Sequence, residues 1–191
     1  SVICACDSVS QTDFDCDDIG VVSVTVIATD VNGNSATCTS QVTIEDNTPP
    51  TAVCQDITVQ LDANGQASIM ASDVDGGSSD NCGFPSVSAS PTSFTCVDLG
   101  NNTVVLTATD ISGNTDTCQA NVVVVETTPP VAVCQPATVS LDSAGNGSIT
   151  AADIDGGSSD NCAVDSLLAF PSSFTCGDVG TNSVLLTVSD F

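Results

Sequence analysis

The chain has 191 residues and carries no Lys, Arg or His against 24 Asp and Glu, a formal net charge of −24. An ordinary soluble chain is about a quarter charged with both signs present. Here side-chain salt bridges are excluded, and so is recognition of nucleic-acid phosphates or anionic membrane surfaces, which needs cationic groups.

Self-repulsion on this scale strains a folded state unless counterions bind, and divalent cations are the natural remedy. Eleven cysteines without Cys-x-x-Cys or His point away from zinc and toward disulfides in an oxidising, extracellular compartment. No run of about 20 apolar residues is present, so no spanning helix or membrane insertion is expected. The opening Ser-Val-Ile-Cys lacks a signal-peptide pattern, so a mature product or a cut segment is expected.

Internal repetition organises the chain. Cys16, Cys96 and Cys176 are 80 apart, as are Cys38 and Cys118, Cys54 and Cys134, and Cys82 and Cys162. Thr-Pro-Pro at 48–50 recurs at 128–130, and Asp30, Asp110 and Asp190 share a phase. Residues 1–48 read as the C-terminal part of one repeat, 49–128 as a complete repeat, and 129–191 as the N-terminal part of a third. The whole is expected to be a window on a longer array, with neighbouring repeats of the same long chain as its first partners. The two-proline junctions suit semi-rigid linkers.

Within the full repeat, Ala52 to Leu61 is a β-branched strand ending at the hairpin turn Asp62-Ala-Asn-Gly65, and Gln66 to Ser72 returns. Short strands follow around Phe84 to Ser88 and Ser93 to Cys96. Asn102 to Thr109 alternates, with Val104, Leu106 and Ala108 on one face. Ile111-Ser-Gly-Asn114 is a second turn, and Thr117 to Val125 closes the repeat. No helical period is present. The expectation is all-β, a small antiparallel sandwich of six or seven strands in about 80 residues.

Between the second and third strands lies Asp-Val-Asp-Gly-Gly-Ser-Ser-Asp-Asn-Cys, Asp73 to Cys82, which returns as Asp153 to Cys162. Short acidic arms around a Gly-Gly pivot suit a hard cation bound through oxygen. The start resembles an EF-hand loop, but the closing Glu and the flanking helices are missing. If a domain's ends lie at opposite poles, its strand number is odd, most simply seven. The incoming linker, this loop and the last turn then share one pole. The expected calcium ligands at the first junction are Glu45, Asp46, Asp73, Asp75, Asp80, Asn81, Asp110 and Asn114. At the second they are Glu126, Asp153, Asp155, Asp160, Asn161 and Asp190. Calcium takes six to eight oxygens in flexible geometry, whereas magnesium demands a stricter octahedron.

Four cysteines per repeat allow three connectivities. One scheme bonds Cys54 to Cys118 and Cys82 to Cys96, with Cys162 and Cys176 alike 80 residues on, and leaves Cys38 and Cys134 to outside partners. A rival bridges the linkers, Cys38–Cys54 and Cys118–Cys134. Cys16 is expected to pair with Cys4 or Cys6. Six Phe are the only aromatics and lysine-based isopeptide staples are impossible, so disulfides and calcium must stiffen a thin core.

Asp-Asn-Cys, then Phe-Thr-Cys, then Thr29-Asp30-Val-Asn-Gly-Asn34 or Thr109-Asp110-Ile-Ser-Gly-Asn114 with a following Cys, resembles the hyalin-repeat (HYR) family. Val53-Cys54-Gln55 and Val133-Cys134-Gln135 add to the likeness, which extends to tandem HYR-like repeats of large type IX-secreted surface adhesins of gliding bacteria. The resemblance implies immunoglobulin-like sandwiches, a cell-surface location and a role in adhesion. Cys4 and Cys6 have no counterparts in phase, and Val2 stands where Cys82 would recur.

Catalysis is not expected: without His, Lys, Arg or Tyr the usual bases and electrophiles are missing, and the same acids recur at each junction. A calcium-dependent glycan- or protein-binding module is the alternative to a structural stalk or filament, weakened by the lack of Trp and Tyr. Lateral association with like filaments or protomers is compatible with either.

Overall fold

The computed structural model describes the backbone of residues 5–190 and the side chains of residues 8–190. Strands take up 46% of the chain against 9% helix, and the fold is all-β. The alternating Val, Thr and Ile runs are the cause: period two buries one face of a pleated strand and leaves the other wet.

In chain order, β1 (Ala5–Val9), β2 (Gly20–Thr29) and β3 (Ser35–Ile44) form a three-stranded sheet in that order. β2 and β3 pair antiparallel from Gly20 opposite Ile44 to Thr29 opposite Ser35. The full repeat supplies β4 (Ile57–Gln60), β5 (Gln66–Ser68), a one-turn helix α1 (Ala71–Val74), β6 (Ser86–Ser90), β7 (Ser93–Thr95), β8 (Gly100–Thr109) and β9 (Thr115–Val125). The last part supplies β10 (Asn146–Ser148), α2 (Ala151–Ile154), β11 (Ser166–Phe170), β12 (Ser173–Thr175) and β13 (Leu185–Ser189).

Two compact units emerge, each drawn from three stretches. The first takes in residues up to Gln55, Val74–Ala89 and Val105–Gln119, and holds the β1-β2-β3 sheet. Its buried apolar residues are Val24, Val74, Leu106 and Ala108. The second takes in Asp56–Asp73, Ser90–Val104 and the chain from Ala120 onward. Leu61, Ile69, Phe94, Val104, Ala120, Val122 and Val124 are buried there, with a smaller cluster at Ile149, Ile154, Ala169 and Leu186. β5 pairs with β7, β10 with β12, and β11 with β13.

A four-stranded sheet runs β4-β9-β8-β6. Its β4–β9 pairing is parallel, from Ile57 opposite Val122 to Gln60 opposite Val125, which corrects the expectation of a purely antiparallel sandwich. The reason lies in the first strand of the repeat, which is split. Thr51 and Cys54 bridge to Ser79 and Asp75 of the acidic loop, and only residues 57–60 join β9. The repeat therefore has six named strands and a bridged segment rather than seven uniform strands. The helices α1 and α2 are four residues each, too short to leave a helical period in the sequence.

Three disulfides hold the described residues together: Cys54–Cys118, Cys16–Cys82 and Cys96–Cys162, spanning 64, 66 and 66 positions. The first is as the first scheme had it. The expected Cys82–Cys96 and Cys162–Cys176 bonds are absent, because Cys82 is taken by Cys16 and Cys96 by Cys162, which leaves Cys176 free. Cys96 follows β7, which lies against β5, and its Sγ sits 3.7 Å from the carbonyl oxygen of Gly65 just before β5. Linker bonds Cys38–Cys54 and Cys118–Cys134 are ruled out by the Cys54–Cys118 bond, and Cys38, Cys134 and Cys176 are exposed free thiols. Pairing of Cys16 with Cys4 or Cys6 is likewise overturned by the Cys16–Cys82 bond; Cys4 and the Cys6 side chain lie outside the described residues. Such bonds belong in an oxidising compartment, as secreted chains meet. Among the described residues no helix is long and apolar enough to cross a membrane, a statement that leaves β-barrels aside.

Candidate metal centres

Two clusters of three carboxylates recur 80 residues apart: Asp46, Asp80 and Asp110 in the first unit, and Glu126, Asp160 and Asp190 in the second. In each, one oxygen per residue lies within 4.8 Å of the others. Three separate parts of the chain supply them. Asp46 and Glu126 follow the ends of β3 and β9, Asp80 and Asp160 follow the Gly-Gly-Ser-Ser turn, and Asp110 and Asp190 follow β8 and β13.

Local hydrogen bonds aim these groups. Asp80 Oδ2 accepts from the Cys82 N–H at 2.8 Å, and Asp160 Oδ2 accepts from the Cys162 N–H at 2.8 Å. Asp46 Oδ1 accepts from the Thr48 N–H at 3.0 Å, and the Glu126 carboxylate accepts from the Thr128 N–H. Asp110 is buried, and Asn114 serves both its oxygens: the backbone N–H to Oδ1 at 2.7 Å and Nδ2 to Oδ2 at 2.8 Å. The same Asn114 amide donates to the Asp46 carbonyl at 2.9 Å, which ties two arms of the cluster together. Burial pushes the Asp110 carboxyl up, but bonds from the Asn114 side chain and backbone and from the Gly113 and Ser112 backbones outweigh it. The group is held below its ordinary value and stays ionised.

After these bonds are made, Asp46 Oδ2, Asp80 Oδ1 and Asp160 Oδ1 remain buried with no hydrogen-bond partner, as does Asn161 Oδ1. A buried anionic oxygen left unpaired is costly. No Lys, Arg or His exists in the sequence to answer it. Converging hard oxygen donors with no donor of their own are the set a calcium-like ion takes, so the residues present fit such an ion.

Of the other expected ligands, Asp73, Asp75, Asp153 and Asp155 accept hydrogen bonds within their own loops. Asp73 Oδ2 accepts from the Met70 N–H at 2.7 Å, and Asp153 Oδ2 from the N–H and hydroxyl of Thr150 at 2.7 and 2.8 Å, where they cap α1 and α2. Asp75 Oδ1 accepts from the Ser78 hydroxyl at 2.7 Å and the Ser78 N–H at 2.9 Å, and Asp155 accepts from the Ser158 N–H at 2.9 Å. The Ser78 bonds, hydroxyl first, hold the Asp75 carboxyl below its ordinary value. These four carboxylates shape the loop and leave the Asp80 and Asp160 side chains to converge with the other two arms. Glu45 lies outside the first cluster, its Oε2 3.5 Å from Asn47 Nδ2. Asn81 Nδ2 reaches Asp46 Oδ1 at 3.5 Å, and Asn161 Nδ2 donates to the Asp62 carbonyl at 2.8 Å.

No family model matches the chain, and no curated protein matches it.

The parts played by Ser78, Cys16 and Cys96 escaped the sequence reading. Ser78 is buried and its hydroxyl also accepts from the Val53 N–H at 3.0 Å, pinning the loop to the first segment of the repeat. Cys16 and Cys96 anchor the cysteine that follows Asp80-Asn81 or Asp160-Asn161. The sequence carries no signal for that pairing, since an 80-residue period makes the spacing of every equivalent pair equal.

Proposed function

We propose that this chain is a structural, extracellular repeat protein: tandem immunoglobulin-like β-sandwich repeats of about 80 residues, cross-linked by disulfides and stiffened by calcium at each junction. The observation that carries this reading is the pair of three-carboxylate clusters at 80-residue spacing, with orphaned buried oxygens, in a chain without a cationic side chain. Asp46, Asp80 and Asp110 would hold one ion, and Glu126, Asp160 and Asp190 another. The ion supplies the positive charge the sequence lacks; the chain's residues supply convergence, and the Asn114 clamp and the Cys82 and Cys162 turns hold the arms in place.

Each centre draws ligands from either side of a Thr-Pro-Pro junction, and each of two disulfides joins cysteines of successive repeats. That arrangement suits load transmitted along a stalk or filament better than a single binding face. In the HYR-like setting the sequence resembles, such a segment would belong to a cell-surface adhesin, with no catalytic role and with other repeats of its own kind as its main partners. The test is thermal unfolding and small-angle scattering with calcium and with chelator. A calcium-dependent rise in Tm with a longer, stiffer particle supports the reading. An unchanged Tm and unchanged dimensions leave only a disulfide-held acidic spacer.

A further inference from the structure

The order of the disulfides along the chain fixes how it answers a pull. Cys16 is joined to Cys82 and Cys96 to Cys162, so the two bonds between successive repeats close loops that follow one another, 17–81 and 97–161. The Cys54–Cys118 bond within the full repeat straddles both loops. A pull along the main chain therefore has a short covalent route. It enters at Cys16, crosses to Cys82, follows the backbone to Cys96 and crosses to Cys162. That route holds about 14 residues, about 50 Å when fully extended, where the main chain between the same ends holds about 146, about 500 Å.

Both Thr-Pro-Pro linkers lie off this route, 48–50 inside the first loop and 128–130 inside the second. Most of the acidic centres lie off it too. Asp46 and Asp80 stand in the first loop, and Asp110, Glu126 and Asp160 in the second. The stretch that does carry the pull, 82–96, is not slack. It contains β6, next to β8 in the four-stranded sheet, and β7, paired with β5 from Ser93 opposite Ser68 to Thr95 opposite Gln66. Phe94 of β7 is 2% exposed. Two sheets and a buried ring thus hold the one segment that the disulfides leave under tension.

We propose that the chain is a tension member of limited extension: Cys16–Cys82 and Cys96–Cys162 carry a pull past the proline linkers and the acidic centres, and a thiol reductant releases the stored length. This property rests on the stalk or filament reading above and needs no ion. Linkers and carboxylates set the stiffness at rest, and the two bonds between repeats set the limit of stretch. The same repeats without those bonds would release their whole contour once the strands separate. Release is thiol–disulfide exchange. One thiolate of a dithiol attacks a cystine sulfur and forms a mixed disulfide. Its second thiolate then closes the dithiol's own disulfide and leaves two cysteine thiols, so two electrons and two protons pass to the protein.

The test stretches the full chain between handles at its two termini by single-molecule force spectroscopy, with and without dithiothreitol, in calcium and in chelator. After complete unfolding the oxidised chain should be roughly 450 Å shorter than the reduced one in either calcium condition. C96S with C162S should lengthen the oxidised chain by roughly 200 Å. The shortest remaining route then runs back from Cys82 to Cys54, crosses to Cys118 and continues to residue 162. C54S with C118S, its two other bonds verified by peptide mapping, should leave the oxidised length unchanged, because no tension runs through Cys54–Cys118. Equal lengths with and without reductant in the wild-type chain, or a longer oxidised chain in C54S with C118S, overturns the proposal. Failure of the chain to bind calcium would leave these lengths as they are and strike the metal reading alone.

Discussion

Replacing Asp80 by Asn should change the sign of its effect with calcium. Two unit charges no more than 4.8 Å apart repel by at least about 3.5 kcal/mol at an effective dielectric of about 20, and physiological salt roughly halves this. In chelator, D80N removes one such charge facing Asp46, while the new amide oxygen still accepts from the Cys82 N–H. Relief of that pair alone is on the order of 2 kcal/mol, a rise in Tm of roughly 4–8 °C for a chain of this length, and relief of the Asp110 pair acts in the same direction. In calcium the substitution deletes a ligand. An ion at 100 times its Kd stabilises by about 2.7 kcal/mol, and a tenfold weaker site keeps about half of that. The assay is calorimetric melting of wild type and D80N in chelator and in millimolar calcium. A Tm above wild type in chelator and a smaller calcium-induced rise are expected, with D160N behaving alike at the second centre. Equal destabilisation of D80N in both conditions would refute the reasoning, since it would mark Asp80 as a loop-capping residue only.

Further outcomes follow from the same geometry. Removing the Cys54–Cys118 bond with paired serines should cost on the order of 4 kcal/mol by the loop-closure argument, read from urea unfolding. The loop that presents Asp160 to the second centre also carries Cys162, so C96S with C162S should weaken calcium binding there; conversely, calcium should slow reduction of Cys96–Cys162 by dithiothreitol, read by trapping the released thiols. Gly65 has φ +71°, and a Cβ on it would meet Cys96 Sγ at 2.6 Å and the Asn161 carbonyl oxygen at 2.7 Å, so Gly65→Ala should lower Tm and slow formation of that disulfide during oxidative refolding. The folded Asp75 carboxyl lies below its ordinary 3.8, so its ionised form contributes stability above that pH that is lost as pH falls through the folded value. The stability gap between wild type and D75N should therefore close in acid unfolding below about pH 3.8 and persist at pH 6.

The strands were legible because their cause is local. Val104, Leu106 and Ala108 alternate with polar neighbours, and all three are buried. The parallel β4–β9 pairing was not legible, since register between distant strands leaves no trace in one strand's alternation. The clusters could be approached by phase: Asp46, Asp80 and Asp110 all stood among the expected ligands. Asp73 and Asp75 join the expected ligands because Asp-x-Asp-Gly looks like a chelating loop, and each accepts a hydrogen bond within that loop. Asp153 carried a contrary signal, since Thr150 stands three residues ahead of it in the spacing of a helix cap. Disulfide partners were the hardest to read. An 80-residue period says which cysteines are equivalent, not which ones meet.

Equilibrium calcium titration by calorimetry tests the central claim most directly. Two ions per chain are expected, one for each cluster, with one of the two binding events weakened about tenfold in D80N or D160N and both weakened in the double variant. Absence of calcium binding by the wild-type chain, or affinities untouched by both substitutions, would contradict the account.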